Sequence, residues 1–276
     1  PPAPTMTETV RQRLERVFQR IAENAHYRRQ TAFSIRRFSD EQYQELAKQI
    51  QDAQITINIK LTYQEDLPRK GVAPELLSDG RYMNSFEVNE KYRRQGYDLQ
   101  VGLTFESDLL VQEVLFDIPS DLQVAPPNER PIYGAVNVRK SPFGGAAGHS
   151  YGKSWIELKD EVKERTTLYW TNTFQAYDEA ARKSLANFNH PHNAINPYVQ
   201  LEEDWYGYIE AQIHGGVSLK DIKRLVIHID ELRRPSPMLR ELLAVLEALG
   251  ARVEVVTEDG ILQPFTGDFL RRLPRD

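Results

Sequence analysis

The stretch YGYIEAQIHGGVSL at residues 206–219 decides the fold that we predict for this chain. Apolar and polar residues nearly alternate in its middle and then reach a glycine pair, which is typical of a half-buried β-strand that ends in a tight turn. Glu210, Gln212 and His214 are therefore expected on one face of a sheet. Three such groups on one face are an unusual way to build a core, because buried polar groups are costly unless each has a partner, so one interpretation is a functional site. The alternative is a face that is simply wet, as in many antiparallel sheets.

Composition limits the class of protein. The chain has 276 residues, of which 40% are hydrophobic, so it can bury a proper core. A net charge of −5 does not indicate a general nucleic-acid coat or a membrane-surface protein. The chain has no cysteine, which excludes disulfides and thiolate-bound zinc. No apolar run approaches the roughly 18 residues that would span a bilayer.

The N-terminal part reads as helical. Apolar residues recur at helical spacing over residues 10–21 and again over residues 43–50, so we predict a helical segment at 1–52 and a second domain at 53–276. The chain opens with PPAP and without an initiator Met. We interpret this as a cut in a Pro-rich linker and expect a domain excised from a longer protein.

Strands dominate the rest of the chain. The clearest is residues 55–63, where apolar and polar side chains alternate. Further strands are predicted at residues 81–88, 99–105, 109–118, 133–138, 151–158, 165–170, 225–229 and 253–256, and helices at residues 174–188 and 238–249. Helices that precede strands favour an α+β fold with mostly antiparallel sheets.

Common catalytic and metal motifs are missing from the sequence. The GGAAG run at residues 144–148 does not match the P-loop pattern, so we predict a mobile or tightly turned hairpin connection. His190 and His192 lie in a Pro-flanked loop, and a zinc site with His214 has little support from that spacing. We therefore predict no metal. No Gly-x-Ser-x-Gly elbow occurs.

Several motifs occur together in a fixed order: ERPIYGAVN at 129–137, GAA at 145–147, YGKS at 151–154, RTT at 165–167 and YIEAQIHG at 208–215. This set resembles a family of uncharacterised bacterial proteins that pairs a "RPxYGALN…GAAPxFGxS…RTTF" block with a "YIEAQVHG" block. The resemblance covers roughly residue 55 to the C-terminus. More distantly, the layout is similar to the ADP-ribosyltransferase toxins, which carry an Arg on an early strand, Ser/Thr on a middle strand and the catalytic Glu on a late strand.

The resemblance implies an ADP-ribosyltransferase-like catalytic core that uses NAD+ as its substrate. Cleavage of the bond to nicotinamide makes an oxocarbenium-like ribose, which a carboxylate stabilises. Glu210 is the catalytic candidate that the resemblance implies. The toxins often use an E/Q-x-E frame, whereas here Glu210 precedes Gln212. Whether Gln212 orients the acceptor therefore stays open.

The resemblance also implies residues that bind NAD+. Met83 stands where the family has its Arg, and Arg81 is the nearest substitute. Ser154, Thr166 and Thr167 compete for the Ser/Thr role, and aromatic side chains are candidates to stack on nicotinamide. The expected NAD+-binding set is Arg81, Tyr133, Tyr151, Ser154, Thr166, Thr167 and His214.

We therefore expect a toxin effector domain, secreted or delivered, that acts in the cytoplasm of a target cell and has a cognate immunity protein. Its acceptor is a protein or a structured RNA. RNA stays an alternative because the arginines at 28, 29, 36 and 37 could contact phosphates. One alternative is a non-catalytic, phage- or toxin-associated interaction domain, which Met83 supports. A second is a hydrolase that uses Glu210 and His214 as an acid–base pair.

Overall fold

The computed structural model describes residues 3–61, 76–77, 79–96, 103–147, 151–197, 208–235, 238–273 and 275. Its architecture is α+β, with helices on both faces of a large mixed sheet. The helices are α1 (Glu8–Glu23), α2 (Tyr27–Thr31), α3 (Phe33–Arg36), α4 (Asp40–Gln51), α5 (Ser85–Arg94), α6 (Leu103–Phe116), α7 (Glu179–Lys183), α8 (Leu239–Ala248) and α9 (Gly267–Arg272). The strands are β1 (Gln54–Ile59), β2 (Arg81–Tyr82), β3 (Ile132–Asn137), β4 (Ser154–Leu158), β5 (Thr166–Tyr169), β6 (Ala186–Asn187), β7 (Ile209–Ile213), β8 (Val217–Ser218), β9 (Ile222–His228), β10 (Arg252–Val256) and β11 (Leu262–Pro264).

Nine strands form one sheet in the order β11-β10-β9-β4-β1-β3-β7-β5-β6, and β2 pairs with β8 in a separate ribbon. Neighbouring strands of the sheet are antiparallel, except for β9 and β10, which are parallel. The prediction of an α+β fold with mostly antiparallel pairing is confirmed. Strand β7 lies inside the sheet, between β3 and β5.

The two faces of the sheet differ in polarity. In β1 the side chains of Ile55, Ile57 and Ile59 join the main hydrophobic cluster, whereas Thr56 and Asn58 lie on the other face. Helices α4 and α8 cover the apolar face, because the apolar stripe of each helix belongs to the same cluster. The candidate site lies on the polar face.

A second cluster covers part of the polar face. It joins α1 and α6 through Val17, Ile21, Val111 and Leu115, and it includes Tyr169 of β5. Tyr169 is the direct partner of Glu210 in the antiparallel pairing of β5 with β7. The N-terminal helices therefore contribute to both clusters, α1 to this one and α4 to the main one.

The glycine-rich loop covers the neighbouring part of the polar face. Asn58 Nδ2 donates to the carbonyls of Phe143 (2.9 Å) and Gly152 (3.1 Å), and the Gly145 N–H donates to Thr56 Oγ1 (2.8 Å). Gly144 has φ +85°, and a side chain there would also collide with Asn58. The loop is tightly turned over the residues described, and residues 148–150 lie outside them. The predicted hairpin is wrong, because β3 and β4 lie on either side of β1 and do not pair with each other.

Three predicted strands are partly or largely helical. Residues 81–88 form only the short β2 and then helix α5, because Asn84 and Glu87 make a capping box that starts the helix. The predicted strands at 99–105 and 109–118 are replaced by α6, apart from residues 99–102, which lie outside the described part of the chain. Helix α6 is apolar over much of its surface, and such a run does not distinguish a strand from a buried helix by period.

The predicted helix at 174–188 is largely wrong. Only Glu179–Lys183 is helical, and the chain then enters the two-residue strand β6. Asp178 caps this helix and Gln175 has φ +65°, so the preceding residues form an irregular turn. This turn carries a residue of the candidate site.

Candidate functional site

Glu210, Gln212 and His214 share the polar face and are buried, with relative exposures of 6%, 0% and 4%. The alternative of a solvent-wet face is therefore wrong for these three residues. Helix α6 and the irregular turn after β5 both contact this line of side chains.

A directional chain of hydrogen bonds connects the three residues. Gln212 Nε2 donates to Glu210 Oε1 (2.9 Å), and the Thr167 hydroxyl donates to Gln212 Oε1 (2.8 Å). Thr167 Oγ1 lies 2.9 Å from His214 Nε2. Since the Thr167 proton is used toward Gln212, His214 is assigned as the donor of its Nε2–H to Thr167. Every donor in the chain therefore points toward the carboxyl of Glu210.

Thr173 provides the remaining strong contacts to Glu210. Its N–H donates to Oε2 (3.0 Å) and its hydroxyl donates to Oε1 (2.6 Å). The Tyr208 hydroxyl lies 3.5 Å from Oε2. Burial raises the pKa of Glu210 above its ordinary value, and the bonds from Thr173 and Gln212 oppose that shift by stabilising the ionised form.

The imidazole of His214 is held neutral. Burial, together with the charge of Arg165, lowers the pKa of His214 to about 3. The Phe116 ring contacts the imidazole edge-on, with centroids 5.0 Å apart. Arg165 donates to the carbonyls of His214 and Gly216 and so fixes the turn that follows β7. His214 therefore orients Thr167 and does not titrate near neutral pH.

Arg130 is a structural residue behind the site. It is 1% exposed, and its guanidinium donates to Gln112 Oε1 (3.0 Å) and to the carbonyls of Pro119 (2.6 Å) and Ala125 (3.0 Å). The bond from Arg130 to Gln112 fixes the side-chain amide of Gln112, which donates from Nε2 to the Tyr133 hydroxyl (3.0 Å). Burial lowers the pKa of Arg130 to about 10, so the group stays charged at neutral pH.

Tyr133 and Tyr151 border the site. Tyr133 of β3 pairs directly with Gln212 and is half-buried. Tyr151 is 57% exposed, and its side chain interacts with that of Tyr208, beside Glu210. Burial and the neighbouring Glu210 raise the pKa of Tyr208, so its phenol stays protonated.

Two other predicted NAD+-binding residues project from the opposite face. The Ser154 hydroxyl donates to Glu231 Oε1 (2.9 Å) and accepts from the N–H of His228 (2.9 Å). Thr166 donates to the carbonyl of Val162 (2.7 Å). Because side chains alternate along a strand, Thr167 reaches the site and its neighbour Thr166 does not.

Arg81 lies toward the C-terminal end of β7, whereas Glu210 lies near the N-terminal end. Its guanidinium pairs with Glu87 Oε1 at 2.6 Å, and β2 pairs with β8, which follows the C-terminal end of β7. Glu210 is the second residue of β7, near the strand's N-terminal end. Met83, at the position of the family's Arg, is buried in a small apolar cluster.

The histidines do not converge on one place. His192 contacts His26 and Tyr43, with ring centroids 4.5 and 4.8 Å apart, whereas His214 bonds to Thr167. Within the described ranges, no group of three or more His, Asp or Glu side chains is arranged to hold a metal ion.

The N-terminal arginines have partners within the protein. Arg28 donates to the carbonyls of Asn193 and Ile195, and Arg29 pairs with Asp40. Arg36 and Arg37 donate to the carbonyls of Gln30 and Pro197. These contacts weaken the argument that the four side chains form a phosphate-binding face.

The sequence pattern missed Thr173, which immediately precedes the helix predicted at 174–188. It also missed the residues of α6 that contact β7, because α6 was predicted as strands. The available signal was local: Gln112 and Phe116 are four residues apart and share one face of a helix.

Comparison with known proteins finds a distant similarity to a phage protein. The chain resembles the Gene 2 protein of Mycobacterium phage L5. The two are 25% identical over 205 residues, which is 66% of this chain and 68% of the phage protein. No family model matches the chain. Among the described helices, none is both long enough and apolar enough to span a membrane.

Proposed function

We propose that this chain is an NAD+-dependent ADP-ribosyltransferase in which Glu210 is the catalytic carboxylate. The observation that supports this best is the arrangement of Glu210 itself, a buried carboxyl that three donors from Thr173 and Gln212 hold in one orientation. A carboxylate fixed in this way stabilises the positive charge that develops on ribose, with no reorganisation during the reaction. Its oxygens also accept a hydrogen bond from the ribose 2′-hydroxyl.

Gln212 has a positioning role in this proposal. Both ends of its amide are engaged, one with Glu210 and the other with Thr167. It therefore orients the carboxylate, and the acceptor is oriented by another group. This differs from the role that an E/Q-x-E frame assigns to the companion residue.

The identity of the donor substrate rests on the motif resemblance. Around Glu210, the phenol rings of Tyr133, Tyr151 and Tyr208 offer surfaces on which a nicotinamide ring can stack. Thr167 and His214 act behind the site, through Gln212.

A hydrolase that uses Glu210 and His214 as an acid–base pair has less support. Thr167 and Gln212 lie between the two groups along the hydrogen-bond chain. A histidine whose pKa is lowered to about 3 is neutral at pH 7 and is a poor proton donor there. The non-catalytic interaction domain is distinguished from the transferase by its lack of NAD+ consumption.

The proposed setting is a toxin effector domain, secreted or delivered into the cytoplasm of a target cell, with a macromolecular acceptor and a cognate immunity protein. This setting rests on the motif resemblance.

The test is transfer of label from NAD+. Purified protein is incubated with bacterial lysate and NAD+ labelled in its adenylate half, and total protein and total RNA are then separated. Label in either fraction with the wild type, and at least about a hundredfold less with Glu210→Gln, is the expected result. No label in either fraction would reject the proposal and favour the interaction domain.

A further inference from the structure

Helix α6 runs along the same line of β7 side chains that forms the site. Phe116, in its last turn, contacts His214 edge-on. One turn earlier, Gln112 donates to the hydroxyl of Tyr133, which is paired with Gln212. Two successive turns of the helix therefore lie beside His214 and Gln212, which are neighbours on the same face of the sheet.

Extended by one more helical turn, this register places Asp108 at the level of Glu210. Four residues of helix advance about 6 Å and two residues of strand advance about 6.7 Å, so the match persists over three turns. Asp108 is four residues before Gln112, as Glu210 is two residues before Gln212. The electrostatic coupling agrees with this register, since Asp108 acts on both Glu210 and Tyr133.

Asp108 is half-buried, and burial raises its pKa to about 6. Among the residues that the structure describes, the titratable groups on which Asp108 acts electrostatically include Glu210 of β7 and Tyr133 of β3. The cation that contacts helix α6 is Arg130, whose guanidinium donates hydrogen bonds to Gln112 and to backbone carbonyls. A carboxyl in this state is ionised at pH 7 and basic enough to take up a proton during a reaction.

We propose that Asp108 is the second catalytic carboxylate of the site and accepts the proton of the attacking acceptor group. This inference rests on the proposed function. In the step, a bond forms between the acceptor oxygen or nitrogen and ribose C1′. The bond from C1′ to the nicotinamide nitrogen breaks, its electron pair stays on that nitrogen, and the acceptor's proton moves to a carboxylate oxygen of Asp108.

The role of Asp108 defines the chemistry of the acceptor. The attacking atom carries a proton that must leave, as in a hydroxyl, a guanidinium or an amine. A carboxylate acceptor would not need Asp108. Glu210 and Asp108 thus divide the work between the ribose and the acceptor.

The experiment compares Asp108→Asn with Glu113→Gln, a control at an exposed position of the same helix. Two quantities are measured for each: nicotinamide release from NAD+ alone, and transfer of adenylate label to the protein and RNA of a bacterial lysate. For Asp108→Asn we expect transfer to fall by about a hundredfold or more, and nicotinamide release from NAD+ alone to fall by clearly less, because attacking water can also pass its proton to solvent. The ratio of transfer to nicotinamide release should also increase for the wild type as pH rises through about 6, and this ratio should not increase for the variant.

The inference would be overturned if Asp108→Asn transferred label at the wild-type rate and with the wild-type pH dependence. It would also be overturned if the variant lost nicotinamide release and transfer to the same extent. Either result leaves the proposed function standing if both activities still need Glu210. No nicotinamide release by the wild type would reject the proposed function and the role of Asp108 with it. Should the Asn variant fail to fold, Asp108→Glu is the test, since a retained carboxyl must keep the increase of transfer with pH.

Discussion

Thr173 binds both carboxylate oxygens of Glu210, Oε2 through its N–H at 3.0 Å and Oε1 through its hydroxyl at 2.6 Å. The irregular turn after β5 is thereby connected to β7. The orientation of the carboxyl then depends on residues from two strands and a turn. Its ionisation depends on the balance between burial and these donors.

Thr173→Val should raise the pKa of Glu210 further, because it removes a donor to the ionised form. We expect nicotinamide release at about pH 7 to fall roughly tenfold, as a charge-assisted hydrogen bond contributes about 1.5–3 kcal/mol. The acidic limb of the pH–rate profile should move to higher pH. Thr173→Ser keeps the hydroxyl and should behave as wild type. A Val variant with an unchanged profile would show that the hydroxyl does not control Glu210.

His214 should make the fold sensitive to acid. Its pKa is about 3 in the folded chain against an ordinary 6.5, so below about pH 6.5 the unfolded chain binds the proton and the folded chain does not. Stability is therefore lost as pH falls from about 6.5 toward 3. Urea unfolding at about pH 7.5 and 5 should show a loss about 2 kcal/mol larger for wild type than for His214→Gln.

The control for this comparison is His190→Gln, at a histidine of the loop after β6. It should keep the wild-type sensitivity to acid. Equal losses of stability in all three proteins would contradict the assignment of His214 as a buried neutral group.

Asp108→Asn should stabilise the folded chain at about pH 7.5. Burial raises the pKa of Asp108 to about 6 from 3.8, so its contribution to stability is present below about pH 4 and is lost as pH rises through about 6. Replacing the carboxyl removes that loss, and the melting temperature should rise by a few degrees. Glu113→Gln should leave the melting temperature unchanged. A lower melting temperature for Asp108→Asn would mean that the carboxylate has a stabilising partner.

Arg81→Gln should leave the KM for NAD+ within about twofold of wild type, because Arg81 is paired with Glu87. The melting temperature should decrease, since Glu87 is buried and loses its cation. Kinetics of nicotinamide release and thermal unfolding measure the two effects. A KM raised tenfold or more would restore Arg81 as an NAD+-binding residue.

Local sequence patterns predicted three of the strands around the site. β1 and β7 lie where alternation of polar and apolar residues placed them, and β3 lies in the short apolar run predicted at 133–138. Glu210, Gln212 and His214 share a face, as a period of two requires. These features are local, so the sequence is sufficient to find them.

The sequence pattern could not predict which helices, strands and turns contact one another. Thr173 reaches Glu210 from a turn whose backbone includes a positive φ at Gln175, and nothing in the local sequence indicates which strand it contacts. The position of Asp108 relative to Glu210 depends on the register of α6 against β7. An apolar run that fits a helix and a strand equally well hides that register.

The most direct test of the account is nicotinamide release from NAD+ by purified wild type, Glu210→Gln and Glu231→Gln. Glu231 is a matched control, a buried carboxylate that accepts from the N–H of Leu61 (2.6 Å) and the hydroxyl of Ser154 (2.9 Å). We expect release to fall at least about a hundredfold for Glu210→Gln and to persist for Glu231→Gln, each judged on folded protein by thermal unfolding. Equal release by Glu210→Gln and wild type, or no release by wild type, would contradict the central claim.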